Sequence, residues 1–271
     1  EGLEYSVPKG VRRYILSENI NKEAGRIKKN IMRIKQIRRI IIEEKPDVVL
    51  SFLGPINTRM LIASFGIKTK KIVSVRNDPY KEYSKKTIIH FLYKCLFECA
   101  DGVVFQTEEA GKYFSRSVRK KSVVIMNGVD EMFYDYEYNP KAKNIISIGR
   151  IEKQKNYDML IEAFSMVSEL FPDEKLYIYG DGSLRNELIN KTRQIGMEER
   201  ILFPGNTFEP DRKIFQSRIF VLSSDFEGMP NALMEAMAEG KPVISTDCPC
   251  GGPSTLIENG KNGFLISCGD V

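Results

Sequence analysis

The stretch Ile219-Phe-Val-Leu-Ser-Ser-Asp-Phe-Glu227-Gly-Met-Pro-Asn-Ala-Leu-Met-Glu235-Ala-Met-Ala-Glu-Gly-Lys-Pro-Val-Ile-Ser245 decides the fold. Residues 219–222 are four apolar side chains in a row, the pattern of a strand buried on both faces. Residues 231–239 read as a helix and residues 242–245 as a second strand. Strand, helix and strand in so short a span make a βαβ unit, with parallel strands and a right-handed crossover.

The same rhythm extends in both directions. Strands are expected at 144–148, 175–179 and 201–203, and helices at 156–170, 184–194 and 210–216. A last apparent strand precedes Gly269. Upstream, strands fall at 47–52, 71–75, 102–105 and 122–125, with helices at 57–64, 83–99 and 108–114. Between the two series, residues 131–143 lack any period and contain Pro140, so they read as a linker. The expected class is α/β, with two successive doubly wound, parallel-sheet units (1–130 and 144–271) and a cleft between them. Ligands of such units bind at the carboxyl ends of the strands. A length of 271 residues suits two such domains.

Composition removes several function classes. Apolar residues make up 42% and charged residues 28%, as in ordinary soluble globular chains, so global disorder is excluded. No stretch approaches the ~18 consecutive apolar residues of a membrane span. Five sparse cysteines, an odd number, argue for reduced thiols, and Cys248-Pro-Cys250 does not have zinc-finger or thioredoxin spacing. The single histidine, His90, falls in an apparent helix, which leaves almost no room for a Ser-His-Asp or multi-histidine metal mechanism. No metal site is expected.

Residues 22–42 read as one amphipathic helix. Ala24, Ile27, Ile31, Ile34, Ile37 and Ile41 form its apolar stripe, and basic residues from Lys22 to Arg39 surround it. Two readings stay open: a solvated face on a core-packed helix, or a patch for anionic lipid heads or a pyrophosphate-linked substrate. The net charge of +5 decides neither. No nucleic-acid partner is expected, because no DNA-binding motif or basic–aromatic interleaving is present.

Candidate chemistry concentrates in the second unit. Gly228 permits close approach of backbone to a ligand, and Pro230 suits a helix's first turn. The N–H groups of Asn231, Ala232 and Leu233 would then point out of the helix start, a natural diphosphate site. Glu227 lies in the loop before the helix and Glu235 within it; carboxylates accept from vicinal sugar hydroxyls. Two surface glutamates would give the same spacing. Gly149-Arg150 closes the first strand of this unit, with Lys155 shortly after, and these cations could hold a diphosphate or be surface bases. Gly180-Asp181-Gly182 also follows a strand and could border a nucleobase. Asn127-Gly-Val-Asp130 ends the last strand of the first unit.

Together these residues resemble the nucleotide-sugar-dependent retaining glycosyltransferases of family 4. The matching signatures are Asn127-Gly-Val-Asp130, Gly149-Arg150 with Lys155, Gly180-Asp-Gly182, Glu227-x7-Glu235 and Gly240-Lys-Pro-Val-Ile-Ser-Thr-Asp247. A weaker likeness continues upstream to about Leu3. The resemblance implies the GT-B fold, two Rossmann-like domains whose parallel sheets face each other across a cleft, and a metal-independent transfer of a hexose or N-acetylhexosamine, with no cofactor besides the donor, most readily a UDP-sugar. It implies donor phosphates on Arg150 and Lys155, ribose on Glu235 and the transferred sugar on Glu227. Backbone of Gly228, Met229, Pro230, Asn231, Ala232 and Leu233 would line the donor, with Gly180 and Asp181 nearby. The acceptor would be a glycan or lipid-linked glycan on the side of the first unit. A cytoplasmic enzyme is implied, with peripheral contact at the inner face of the plasma membrane.

Two departures from the family accompany the match. Where many members carry a histidine near the transferred sugar, this chain has Arg76, which donates hydrogen bonds but is no neutral base; a structural ion pair is its other reading. The opening strand with its glycine-rich loop and the closing helices have no counterpart, so a fragment incomplete at both ends is expected. The leaving phosphate would take the acceptor's proton in a front-face substitution; covalent double displacement through Glu227 is the alternative. An epimerase or phosphorylase on the same architecture, or a non-catalytic binding module, are the rival functions.

Overall fold

The apolar runs assemble into two separate parallel sheets. The computed structural model describes residues 7–16, 25–82, 87–136 and 139–271. The first sheet has strands β1 (Val48–Phe52), β2 (Lys70–Ser74), β3 (Gly102–Phe105) and β4 (Ser122–Val124), in the order β1-β2-β3-β4. Helix α1 (Arg26–Glu44) precedes it. Helices α2 (Gly54–Ala63), α3 (Pro79–Glu82), α4 (Thr87–Glu98), α5 (Glu108–Lys112) and α6 (Arg116–Lys120) connect its strands. Neighbouring strands are consecutive in the chain, so one hand of crossover carries all these connections to one face. Ser51, Val73, Val103 and Phe105 are buried on that face under Leu61, Phe97 and Phe114. Leu50, Phe52 and Val123, on the opposite face, stay exposed.

The second sheet runs β10-β9-β8-β5-β6-β7. Its strands are β5 (Ile145–Ile148), β6 (Leu176–Tyr179), β7 (Ile201–Gly205), β8 (Ile219–Leu222), β9 (Val243–Thr246) and β10 (Phe264–Ile266). Helices α7 (Tyr157–Val167) and α8 (Arg185–Gln194) cover one face through Ile161, Phe164 and Leu188. Helices α9 (Pro210–Phe215), α10 (Asn231–Ala238) and α11 (Gly252–Leu256) lie with the other core, around Ile214, Leu233 and Ala236. The chain leaves edge strand β7 and returns as β8 beside β5, and such a reversal opens a crevice at the strands' carboxyl ends. Pro204 is tolerated in β7 because an edge strand has one unpaired side.

Three expectations need correction. Helix α1 is described from Arg26 and runs on to Glu44; Lys22, Glu23 and Ala24 lie outside the described residues. Its stripe is buried only toward the C-terminal end, at Ile41, whereas Ile27 and Ile31 are exposed. Arg38 is structural: its guanidinium donates to the carbonyls of Ala63 and Phe65 at the end of α2, which the helix leaves unpaired. The stretch read as a linker carries a 3-10 turn, Glu131–Tyr134, capped by Asp130. Phe133 is buried in the second unit's core, and Tyr136 lies over Phe215 at 4.8 Å and donates to Asp211. Aromatic side chains, invisible to a period search, anchor this segment. The 83–99 helix is described from Thr87, with Tyr83 to Lys86 outside the described residues, and α3, α6 and α11 were not anticipated.

Candidate active site

The loops after β5 and β8 are stapled together, which fixes the site. Asp225 N–H donates to the Gln154 carbonyl (2.9 Å), Ser223 Oγ to the Lys155 carbonyl (2.8 Å) and Asn156 Nδ2 to Asp225 Oδ1 (2.7 Å). Asn156 adopts a left-handed conformation (φ 45°) and also caps the start of α7. This double use explains why the chain can turn so sharply after Lys155.

Glu227 is held inside this frame. Only 8% of it is exposed, and its Oε1 accepts from Lys155 Nζ at 2.7 Å and from Ser224 Oγ at 2.8 Å. Gln154 Nε2 reaches Oε2 at 3.3 Å. A buried carboxylate needs such partners to remain charged. Lys155 is thus engaged with Glu227 rather than free, whereas Arg150 is exposed at the rim.

An open cleft of about 680 Å³ lies between the two sheets. Arg150, Lys155, Glu227, Met229 and Pro230 line it from the second unit, joined by Asn231, Ala232 and Glu235. Pro230, at the cap of α10, supplies no side-chain acceptor, so the first-turn N–H groups of the helix remain uncapped beside the cleft. Glu235 is half-buried, and burial raises its carboxyl pKa. It makes no hydrogen bond or ion pair among the described residues.

From the first unit, Arg76, Gln106, Asn127 and Gly128 close the other wall. Arg76 lies over the Phe52 ring at 5.0 Å and donates to Asn127 Oδ1. It forms no ion pair among the described residues, so the ion-pair reading fails. Gln106 Nε2 also donates to Asn127 Oδ1 (2.7 Å), and Gln106 Oε1 accepts from the Met229 N–H (3.2 Å). Asn127 Nδ2 completes the bridge by donating to Asn231 Oδ1 (2.5 Å). The two units also meet below the cleft, where Thr107 Oγ1 donates to the Cys250 carbonyl at 2.6 Å.

Four expected residues stand apart from the lining. Gly228 packs between the units: a Cβ there would sit 2.6 Å from the Arg76 carbonyl oxygen and from Gln106 Oε1. Leu233 is buried in the core beneath α10. Gly180, at φ +138°, packs its backbone against Gly149, and a Cβ there would fall 1.9 Å from that residue's carbonyl oxygen. Asp181 sits beside it, its carbonyl accepting from the Ile151 N–H at 2.8 Å. The Gly180–Gly182 loop therefore backs the Gly149-Arg150 wall. Gln106 and Gln154 were missed; both sit just beyond the carboxyl end of a strand, the position where ligand groups of parallel sheets gather.

Comparison with known proteins bears on the family and the fold. Residues 129–271 match the family described as Glycosyl transferases group 1. An uncharacterized glycosyltransferase of Methanocaldococcus jannaschii is 32% identical over 247 residues, covering 82% of this chain and 61% of the relative. An undecaprenol-linked-glycan alpha-1,4-N-acetyl-D-galactosaminyltransferase of Campylobacter jejuni is 28% identical over 237 residues, covering 86% and 64%. The chain thus spans about three-fifths of the length of these curated relatives. Among solved structures, Anabaena HepE in complex with UDP-glucose superposes with a TM-score of 0.76 at 20% identity, covering 88% of this chain and 69% of that one. Staphylococcus aureus TarM gives 0.74 at 20% identity, covering 88% and 49%. The two facing parallel sheets are accordingly the GT-B architecture, and the chain belongs to the group 1 glycosyl transferases.

Proposed function

We propose that the chain carries the donor site of a retaining family 4 glycosyltransferase, moving a hexose or N-acetylhexosamine from a UDP-sugar to a polysaccharide or lipid-linked glycan. One observation carries the reading: a single cleft gathers Arg150, Lys155, Glu227, Glu235 and the uncapped start of α10. The Campylobacter relative acts, by its name, on an undecaprenol-linked glycan, and the Anabaena structure holds UDP-glucose, which supports the same substrate class here. Residues 144–271 would bind the donor, residues 1–130 would face the acceptor, and 131–143 would connect them.

In this reading Arg150 and the start of α10 meet the diphosphate, with Lys155 shared between phosphate and Glu227. Glu235 accepts from the ribose hydroxyls and Glu227 from the transferred sugar, while Arg76 donates to sugar or phosphate. Gly180 and Asp181 hold the wall beside the base. The bond from the anomeric carbon to the phosphate oxygen breaks as the acceptor oxygen attacks the same face. The departing phosphate oxygen takes the acceptor's proton. Negative charge grows on that phosphate in the transition state, where Arg150, Lys155 and the helix start stabilise it most. These groups supply the required positive charge from the chain itself, so no resident metal is needed.

The basic helix adds a membrane contact. Ile27 and Ile31 are exposed among Arg26, Lys28 and Lys35, an arrangement suited to anionic lipid at the inner face of a membrane. No helix among the described residues is long and apolar enough to cross a membrane.

Thermal unfolding with UDP, GDP and ADP tests the donor reading. UDP at 100 times its dissociation constant should add about 2.7 kcal/mol, and Glu235→Ala should remove the gain. Equal response to all three, or to none, would overturn the uridine assignment.

A further inference from the structure

A second cavity, of about 290 Å³, begins at the amino end of β5 and runs along β6 as far as Tyr179, the register partner of the cleft residue Ile148. Asn144, Ile145 and Ile146 border it at the start of β5, whereas Ile148, Gly149 and Arg150 border the cleft at the far end. Its wall is Tyr177 and Tyr179, on one face of β6. Their rings run nearly parallel, 14° apart in plane with centroids 6.2 Å apart. The alternate residues Leu176 and Ile178 are fully buried beneath α7 and α8. Lys213 and Gln216, at the end of α9, form the facing wall.

The polar groups here are unspent. Neither tyrosine hydroxyl, nor the Lys213 ammonium, nor the Gln216 amide has a hydrogen-bond or ion-pair partner among the described residues. The cavity surface is mainly polar, with a smaller share of aromatic carbon, and unengaged polar groups converging on one concavity beside aromatic rings can hold a small polar molecule. One cation, without a glycine-rich loop or a long helix start, is too little for a diphosphate. Hydroxyl, amide and ammonium groups around aromatic carbon suit a sugar, whose ring offers C–H groups to the tyrosines and hydroxyls to the rim.

We propose that this cavity is a second, non-catalytic glycan subsite that takes one pyranose unit and favours an acidic sugar through Lys213. It extends beyond the donor reading, and its test uses no donor.

The experiment is calorimetric titration of the full chain with maltose and with digalacturonate, each repeated with UDP saturating the cleft. Saturable binding is expected for both, with digalacturonate about three- to tenfold tighter and UDP without effect. Lys213→Met should erase the difference between the two sugars, and Tyr177→Ala should weaken both by at least about tenfold. If Tyr177→Ala does not fold, Lys213→Met combined with Gln216→Ala, both at the rim, gives the same readout. No saturation with either sugar up to about 10 mM would overturn the proposal. So would binding that UDP displaces and Glu235→Ala abolishes, which would place the sugar in the cleft. Loss of the UDP response with saccharide binding intact would instead strike the donor reading alone.

Discussion

The two sheets of this molecule are built to different standards. The second has helices on both faces, and its central strands β5 and β8 are sealed by two separate cores. The first has its core on one face only, and Leu50, Phe52 and Val123 on the other remain exposed. The candidate site residues follow the same division. Glu227 and Lys155 are fixed by hydrogen bonds within the second unit, whereas the start of α10 is bridged from the first unit through Gln106 and Asn127. The first unit contributes side chains that reach across, namely Arg76, Gln106 and Asn127. Under the proposed reaction, the groups that would meet the developing charge sit on the unit with a core on each face of its sheet.

The comparison is sharpest in the cores. Phe220→Ala, at a fully buried position of β8, should cost about 3–5 kcal/mol in denaturant unfolding. Leu50→Ala, half-exposed on β1, should stay within about 0.5 kcal/mol. Equal costs would mean that the open face of the first sheet is covered in solution. Next comes Glu227→Gln, which keeps the side chain's volume but removes the charge paired with Lys155. Turnover should fall more than ~100-fold with UDP affinity retained, since Glu227 accepts from the transferred sugar and not from the nucleotide; unchanged turnover would remove Glu227 from the chemistry.

A smaller effect is expected at Glu239, which ends α10 and was not singled out by any motif. It is 2% exposed, and neither of its carboxylate oxygens has a hydrogen-bond partner. Burial, reinforced by Asp211 and Glu235 and opposed by Lys241, pushes its pKa up to about 8. A folded-state pKa above the unfolded value means that the folded chain holds the extra proton. Stability then declines as pH rises from the ordinary carboxyl range through about 8. Glu239→Gln should therefore be neutral near pH 4 and about 1–3 kcal/mol stabilising near pH 8.5. A gain that is the same at both pH values would show that packing, not charge, is responsible.

The smallest effect tests the bridge between the units. Asn127→Ala removes the acceptor shared by Arg76 and Gln106 and the donor to Asn231. About 1 kcal/mol of stability should be lost, with donor affinity changing less than in Glu235→Ala. A larger loss of donor affinity would make Asn127 part of the donor site.

Much of this was legible in the residues. Every anticipated strand is present to within a residue or two, because apolar runs of four or five side chains have no other place in a two-layered α/β unit. Arg150, Lys155, Glu227 and Glu235 were found by spacing, and the fold brings them to one cleft. Gln106, Gln154 and Glu239 were not, since an amide or carboxylate outside a motif has no periodicity to betray it. The 131–143 segment shows no period because its anchors, Phe133 and Tyr136, act through burial and stacking against residues far along the chain.

The sequence by itself determined the alternation of strand and helix, the division into two units, and the identity of the charged residues at the strand ends. Those are local properties: apolar run length, helical period, and glycine or proline at turns. Only the tertiary structure decided that Lys155 is paired with Glu227, that Arg76 binds an amide instead of a carboxylate, and that Gly228 and Gly180 are required by neighbouring backbone. Each depends on contacts between residues brought together by the pairing of β5 with β6, by the β7-to-β8 crossover or by the meeting of the two sheets. Distances of that kind are set by packing in three dimensions, and spacing along a chain does not encode them.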